Sequence, residues 1–189
     1  MNIYPVILPI TDTSKRGRDA IAMQRKTALD ALRISAYKKG VIFKRLDKDK
    51  NGAPLPFEGN YWSISHKPSC VAAVVANSSI GIDIEEIKIR SPSLLDYVVS
   101  EGEWALIGEK NWMNFYRFWT AKESALKYTG IGIRELSRCK ATHVIDDYHI
   151  ILNYRSRLLE VEQFIYKNHI ISVIKNDFDV EWIIPLHEE

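Results

Sequence analysis

Three short stretches of the chain carry residues that could do chemistry. In Ser79-Ile80-Gly81-Ile82-Asp83-Ile84-Glu85-Glu86 the acids alternate with isoleucines. On a strand, Gly81, Asp83 and Glu85 share one face. Their Cα atoms then lie roughly 6–7 Å apart, near enough for both carboxylates to reach one hard cation. Solvated acids on a half-exposed edge strand would give the same letters. In Phe115-Tyr116-Arg117-Phe118-Trp119-Thr120-Ala121-Lys122-Glu123-Ser124-Ala125-Leu126-Lys127, the residues Trp119, Glu123 and Lys127 stand at i, i+4 and i+8. That spacing stacks them on one helical face. A third carboxylate from this helix would complete an Asp83-Glu85-Glu123 magnesium site, with Lys127 beside it for phosphate charge.

The third stretch is Trp62-Ser63-Ile64-Ser65-His66, ahead of Lys67-Pro68. Hydroxyl, imidazole and backbone N–H at a strand end suit a phosphate. A hydrolase is the rival idea, but adjacent residues on a strand point to opposite faces, so His66 cannot serve Ser65 as a nucleophile. The chain has no Gly-x-Ser-x-Gly elbow and no P-loop.

The elements that must position these groups form an α+β pattern. An apolar run, Ile3–Ile10, reads as a strand. Ser14 to Lys39 reads as one long helix that stops at Gly40, with Arg25 falling on its apolar stripe. There the arginine either snorkels past the core edge or reaches an anion. Strands are expected at Tyr61–Ser65, Cys70–Ala76 and Ile80–Glu85, and short helices at Ser91–Val99 and Glu101–Glu109. A strong helix is expected from Asn114, as its cap, to Gly130. The last third reads as strands at 144–145, 150–154, 158–166, 170–175 and 180–184.

The chain of 189 residues has 46% hydrophobic and 26% charged residues, an ordinary globular balance. A net charge of +2 gives no case for nucleic-acid binding. The charge is uneven, however: residues 1–50 carry twelve basic and five acidic side chains, so an anionic ligand or partner is expected there. Two cysteines, Cys70 and Cys139, define neither a disulfide framework nor a zinc site. The opening residues lack the pattern of a signal peptide, and no stretch reaches the ~20 apolar residues of a membrane span. A soluble cytoplasmic protein is expected. Asp47-Lys48-Asp49-Lys50-Asn51-Gly52, with Glu58, matches an EF-hand calcium loop. Pro54 and Pro56 stand where a β-bridge and a helix should begin, and a second copy is missing, so a polar surface turn is expected instead.

Taken in order, Ser63-Ile64-Ser65-His66, Gly81-Ile82-Asp83-Ile84-Glu85 and Phe118 to Lys127 resemble the 4′-phosphopantetheinyl transferases, specifically the larger Sfp-type class. Gly52-x-Pro54 and Arg25 with Asp30 are weaker matches. The resemblance implies transfer of the phosphopantetheine arm of coenzyme A to a serine of an acidic apo acyl- or peptidyl-carrier protein, with magnesium. It implies that Asp83, Glu85 and Glu123 hold the metal, and that Glu123, Lys127 and Asp83 act in catalysis. Arg25, Ser65, His66 and Lys67 would contact the cofactor, Lys122 and Lys127 its diphosphate, and Trp119 would shape the site. It further implies a monomer of two similar α/β halves, residues 1–79 and 80–189, each an antiparallel sheet packed on a long helix. Two departures stand out. Ala53 sits where family members often carry lysine, and Lys67 where a small hydroxyl residue is common. A non-catalytic module that binds a carrier protein, coenzyme A or a nucleotide is the alternative.

Overall fold

The first apolar run is not one strand. In this computed structural model, which describes residues 1–42, 46–50, 52–130 and 133–185, it breaks at Tyr4-Pro5 into β1 (Asn2–Ile3) and β2 (Val6–Pro9). Pro5 has no N–H to continue a ladder. β1 turns to a different partner, pairing in parallel with β10 (Asp179–Val180). β2 joins β3 (Tyr61–Lys67) and β4 (Cys70–Ala76) in a three-stranded antiparallel sheet, with β4 in the centre. Every residue of β4 is buried, which its unbroken apolar run requires.

Helix α1 (Gly17–Lys38) lies against this sheet. Its buried residues begin at Ala28 and continue through Ala31, Leu32, Ser35 and Ala36. The expected apolar stripe is therefore shifted. Ile21 and Arg25 are exposed on turns that precede the buried part of the helix. Ser14 is not the cap, because its hydroxyl donates to Asp12 Oδ1 at 2.6 Å and the helix begins after it. Gly40, at φ +74°, ends the helix as expected.

The second sheet has five antiparallel strands in the order β5-β9-β8-β7-β6, and it supports the second long helix, α4 (Trp112–Thr129). These strands are β5 (Ile82–Glu86), β6 (Cys139–Val144), β7 (His149–Tyr154), β8 (Arg157–Tyr166) and β9 (His169–Ile174). Two short helices, α2 (Ser93–Val98) and α3 (Glu101–Ile107), precede α4. A 3-10 turn over Ile133–Arg138 leads into β6 and has no counterpart in the sequence reading. α4 starts from Asn111, whose side chain accepts the Asn114 N–H at 2.9 Å, so Asn114 lies inside the helix rather than capping it. Gly130, at φ +69°, closes it. The α+β class with antiparallel sheets agrees with the sequence reading.

Two features fix α4 over β5. Phe115, Phe118, Ala121 and Ala125 are buried in the core shared with β5 and β9. Gly81 lets the helix backbone come unusually close. A Cβ there would stand 1.9 Å from the Ser124 carbonyl oxygen and 2.6 Å from the Tyr128 nitrogen. Glycine at this position serves the close approach of the helix.

Candidate active site

The alternation read from 80–86 holds. Ile82 and Ile84 enter the core, while Asp83 and Glu85 make their contacts with α4 and β3. β3 crosses beside β5 and fastens to it through side chains on one face. Ser63 Oγ accepts the Ile82 N–H at 3.1 Å, Ser65 Oγ donates to Asp83 Oδ1 at 2.8 Å, and Lys67 Nζ meets Glu85 Oε1 at 2.6 Å. From α4, Lys127 Nζ lies 2.8 Å from Asp83 Oδ1 and 3.0 Å from the Ile82 carbonyl, and Trp119 Nε1 donates to Glu85 Oε1 at 3.1 Å. Strand and helix thus bring Ser65, Lys67, Asp83, Glu85, Trp119 and Lys127 together.

Glu123 belongs to the same neighbourhood. Burial first, and then the Asp83 charge, push its pKa up to about 7, with Lys127 opposing. Glu85 is also raised, again by burial first, although its hydrogen bond from Lys67 works the other way and Asp83 adds to the rise. Two carboxylate oxygens, Asp83 Oδ2 and Glu123 Oε1, are buried with no hydrogen-bond partner. Such acceptor-only atoms need a donor or a cation. The donor set is therefore of the right kind for a hard divalent metal. The expected triad is nonetheless not drawn together here. Among the described residues no three His, Cys, Asp or Glu side chains are arranged to hold one ion. Lys127 and Lys67 each hold one acid by an ion pair.

His66 follows Ser65 but faces the other way, at the end of the strand. It is exposed as a residue, yet its ring is desolvated enough that burial is the first cause of a pKa below the usual 6.5. The charges of Lys127, Lys67, Lys48 and Arg25 lower it further, in that order. Arg25 on α1, far away in sequence, makes the smallest of these contributions. The charges of four cations are felt by one imidazole, which is a local positive potential. Beside it a cavity of about 310 Å³ opens between β3 and the end of α4. Lys48, Ala53, Trp62, Ile64, Leu126 and Lys127 are among its lining residues. Ala53 therefore lines this cavity without supplying a cation to it.

Ser65 donates its hydroxyl to Asp83 Oδ1 and so orients that acid. One assignment needs correction. Lys122 is 0% exposed and is held by Glu103 at 2.8 Å and by the Val98 carbonyl at 2.7 Å, so it does not reach the cleft. Consecutive helix residues diverge by about 100°, which turns Lys122 into the core while Glu123 faces the strand pair. Sequence reasoning missed Lys48, which lines the cavity, and Glu103. The signal for Glu103 was present as Ser100-x-x-Glu103, a capping box that the structure forms. The Asp47–Glu58 stretch forms turns and isolated bridges, Lys48 with Pro54 and Phe57 with Asn60; Asn51 lies outside the described residues.

An acid pair on a strand, a helix carrying a further acid and a lysine, and the lysines beside them make up the candidate site. Residues 79–177, just over half of the chain, match the model of the 4′-phosphopantetheinyl transferase superfamily, and the chain belongs to that family. It is 28% identical over 128 residues to a provisionally named 4′-phosphopantetheinyl transferase of Haemophilus influenzae, covering 63% of this chain and 54% of the relative. It is 27% identical over 113 residues to the 4′-phosphopantetheinyl transferase gsp of Aneurinibacillus migulanus, covering 58% and 46%. The chain spans about half the length of the curated relatives it matches. No described helix is long and apolar enough to cross a membrane.

Proposed function

We propose that this protein transfers the 4′-phosphopantetheine arm of coenzyme A to a serine of an apo acyl- or peptidyl-carrier protein, releasing adenosine 3′,5′-bisphosphate. One observation carries the reading. Asp83 and Glu85 on β5 are held by Lys127 and Lys67, and Glu123 on α4, near enough for both acids to raise its pKa, keeps a buried oxygen without a partner. Arg25, Lys48 and His66 bind phosphates of the cofactor, Lys67 and Lys127 face its diphosphate, and the cavity next to Lys127 receives part of it. Asp83, Glu85 and Glu123 would hold a magnesium ion, which when bound would stabilise charge on the diphosphate. Trp119 shapes the floor of the site through Glu85.

The carrier serine oxygen forms a new bond to the phosphorus of the phosphopantetheine arm, and the bond from that phosphorus to the departing bisphosphate breaks. The serine proton needs an acceptor. Glu123 is half-buried, has one buried, unpartnered oxygen and a pKa pushed up to about 7, so it can accept a proton near neutrality. Lys127 offsets charge on the leaving group. Positioning and charge stabilisation are most of what such a transfer requires. The basic first quarter suits both a phosphate-rich cofactor and an acidic carrier.

The finer reading is a cytoplasmic monomer of the Sfp-type class, with halves at 1–79 and 80–189 related by an approximate twofold. It is supported by two antiparallel sheets that each carry one long helix and meet at β3 and β5. The test is incubation with coenzyme A, magnesium and a panel of apo carriers, followed by intact mass. The expected result is a gain of one phosphopantetheine arm. Folded protein that loads none of the carriers, yet binds coenzyme A without magnesium, would favour a binding module instead.

A further inference from the structure

Lys122 neighbours Glu123 in sequence, yet its ammonium turns away from the cleft into a closed polar knot. It donates to the Val98 carbonyl at 2.7 Å and lies 2.8 Å from Glu103 Oε1 and 3.0 Å from Oε2. Glu103 also accepts the Ser100 N–H at 2.9 Å, the Ser100 hydroxyl at 2.8 Å and the Ala141 N–H at 2.8 Å. One ion pair therefore ties the end of α2, the start of α3, the middle of α4 and strand β6. Burial favours the neutral form of Glu103, and the pairing with Lys122 outweighs it, so the carboxyl stays below its usual range.

A buried ion pair is a poor source of net stability, because apolar residues of similar volume often serve as well. What it supplies is direction, through several short bonds of fixed geometry. That direction matters on α4. Trp119 and Glu123 lie on either side of Lys122 in sequence, and both face β5. With a helix radius of about 5–6 Å, a roll of about 20° would carry a side-chain end about 2 Å. Misplacement by about 1 Å can cost about 100-fold in rate. The knot also backs the wall of a cavity of about 460 Å³ lined by Val98, Ser100, Trp119 and Lys140, so the same anchor shapes space on the far side of Trp119.

Resting on the transferase reading above, we infer that Glu103 and Lys122 are positioning residues: their buried pair sets the roll of α4 that aims Glu123 toward Asp83 and Trp119 onto Glu85. Neither residue touches the cofactor. The test compares wild type, Lys122→Met, Glu103→Gln and the double variant Glu103→Met with Lys122→Met, by thermal unfolding, coenzyme A calorimetry and steady-state kinetics. The single variants leave one partner buried alone and lower Tm. The double variant leaves no orphan charge and regains most of it. All three lose kcat by about 10–100-fold while the KM for coenzyme A stays within about twofold. The single losses do not add in the double variant. If the single variants fail to fold, the double variant carries the test. A double variant with wild-type Tm and wild-type kcat overturns the inference. So does a Lys122→Met variant that raises the KM for coenzyme A while Glu103→Gln does not. A folded wild type that loads no carrier overturns the transferase reading and this one with it, whereas an active wild type beside a fully active double variant overturns the positioning alone.

Discussion

Lys127 Nζ stands 2.8 Å from Asp83 Oδ1, and with its bond to the Ile82 carbonyl this contact fastens the last turn of α4 to the acidic strand while leaving Asp83 Oδ2 buried and unpartnered. In the proposed function that second oxygen would be a ligand to magnesium. Asp83→Asn keeps the shape but removes the charge. Transfer should fall by more than about 100-fold, as when one well-placed electrostatic group is removed. The rise in Tm that magnesium gives the wild type should vanish in the variant. A variant that retains both activity and the magnesium shift would remove Asp83 from the proposed ligand set.

Gly81→Ala tests the close packing of the same helix. The new methyl would meet backbone atoms of Ser124 and Tyr128, which cannot swing aside. Overpacking of this kind costs about 3 kcal/mol, or about 6–12 °C in Tm for a chain of this size. Thermal unfolding followed by circular dichroism is the check, and a Tm unchanged within about 1 °C would contradict the approach of α4 to β5.

His66 offers a pH test with a definite sign. Its pKa in the free protein lies below 6.5, first from burial and then from Lys127, Lys67, Lys48 and Arg25. The unfolded chain therefore takes up a proton more readily than the folded one. His66 contributes its full stability above pH 6.5, and that contribution is lost as pH falls through the folded pKa. A phosphate-rich ligand beside the ring should raise the pKa, so binding should take up protons below neutrality. NMR titration of the imidazole with and without coenzyme A reads both. A free-state pKa at or above 6.5 would refute the desolvated setting and the net positive field on the ring.

The two thiols predict chemical silence. Burial raises Cys70 to about 11 and Cys139 to about 12, so thiolate is scarce at ordinary pH and access is closed. Alkylation at about pH 8 should be negligible in the folded protein and complete after unfolding, by intact mass. Rapid labelling of folded protein at either cysteine would place that thiol outside the core.

How much of this was legible in the chain depended on whether a local pattern decided it. Asp83 and Glu85 were legible because a strand has a strict period of two, and Glu123 with Lys127 because a helix repeats every 3.6 residues. Gly40 and Gly130 ended their helices where expected, since both take positive φ. The side of α4 on which Lys122 falls was not legible. It depends on α2, α3 and β6 arriving behind the helix, which no spacing within α4 encodes. The stitching of β3 to β5 through Ser63, Ser65 and Lys67 was hidden for the same reason, because it joins two sheets and follows from their crossing. Glu103 is a different case: its capping box was written in the sequence, and only its second task, pairing with Lys122, required the fold.

The clasp between β1 and β10 has a mechanical consequence. Asp179 N–H bonds the Met1 carbonyl, Glu181 that of Ile3 and Ile183 that of Pro5, while Ile7 N–H bonds back to Ile183, all at 2.8–3.0 Å. Because the two segments run parallel, a force drawing the chain apart by its opposite ends loads these bonds together in shear, before either sheet is strained. A tether at either end would therefore report on this clasp first.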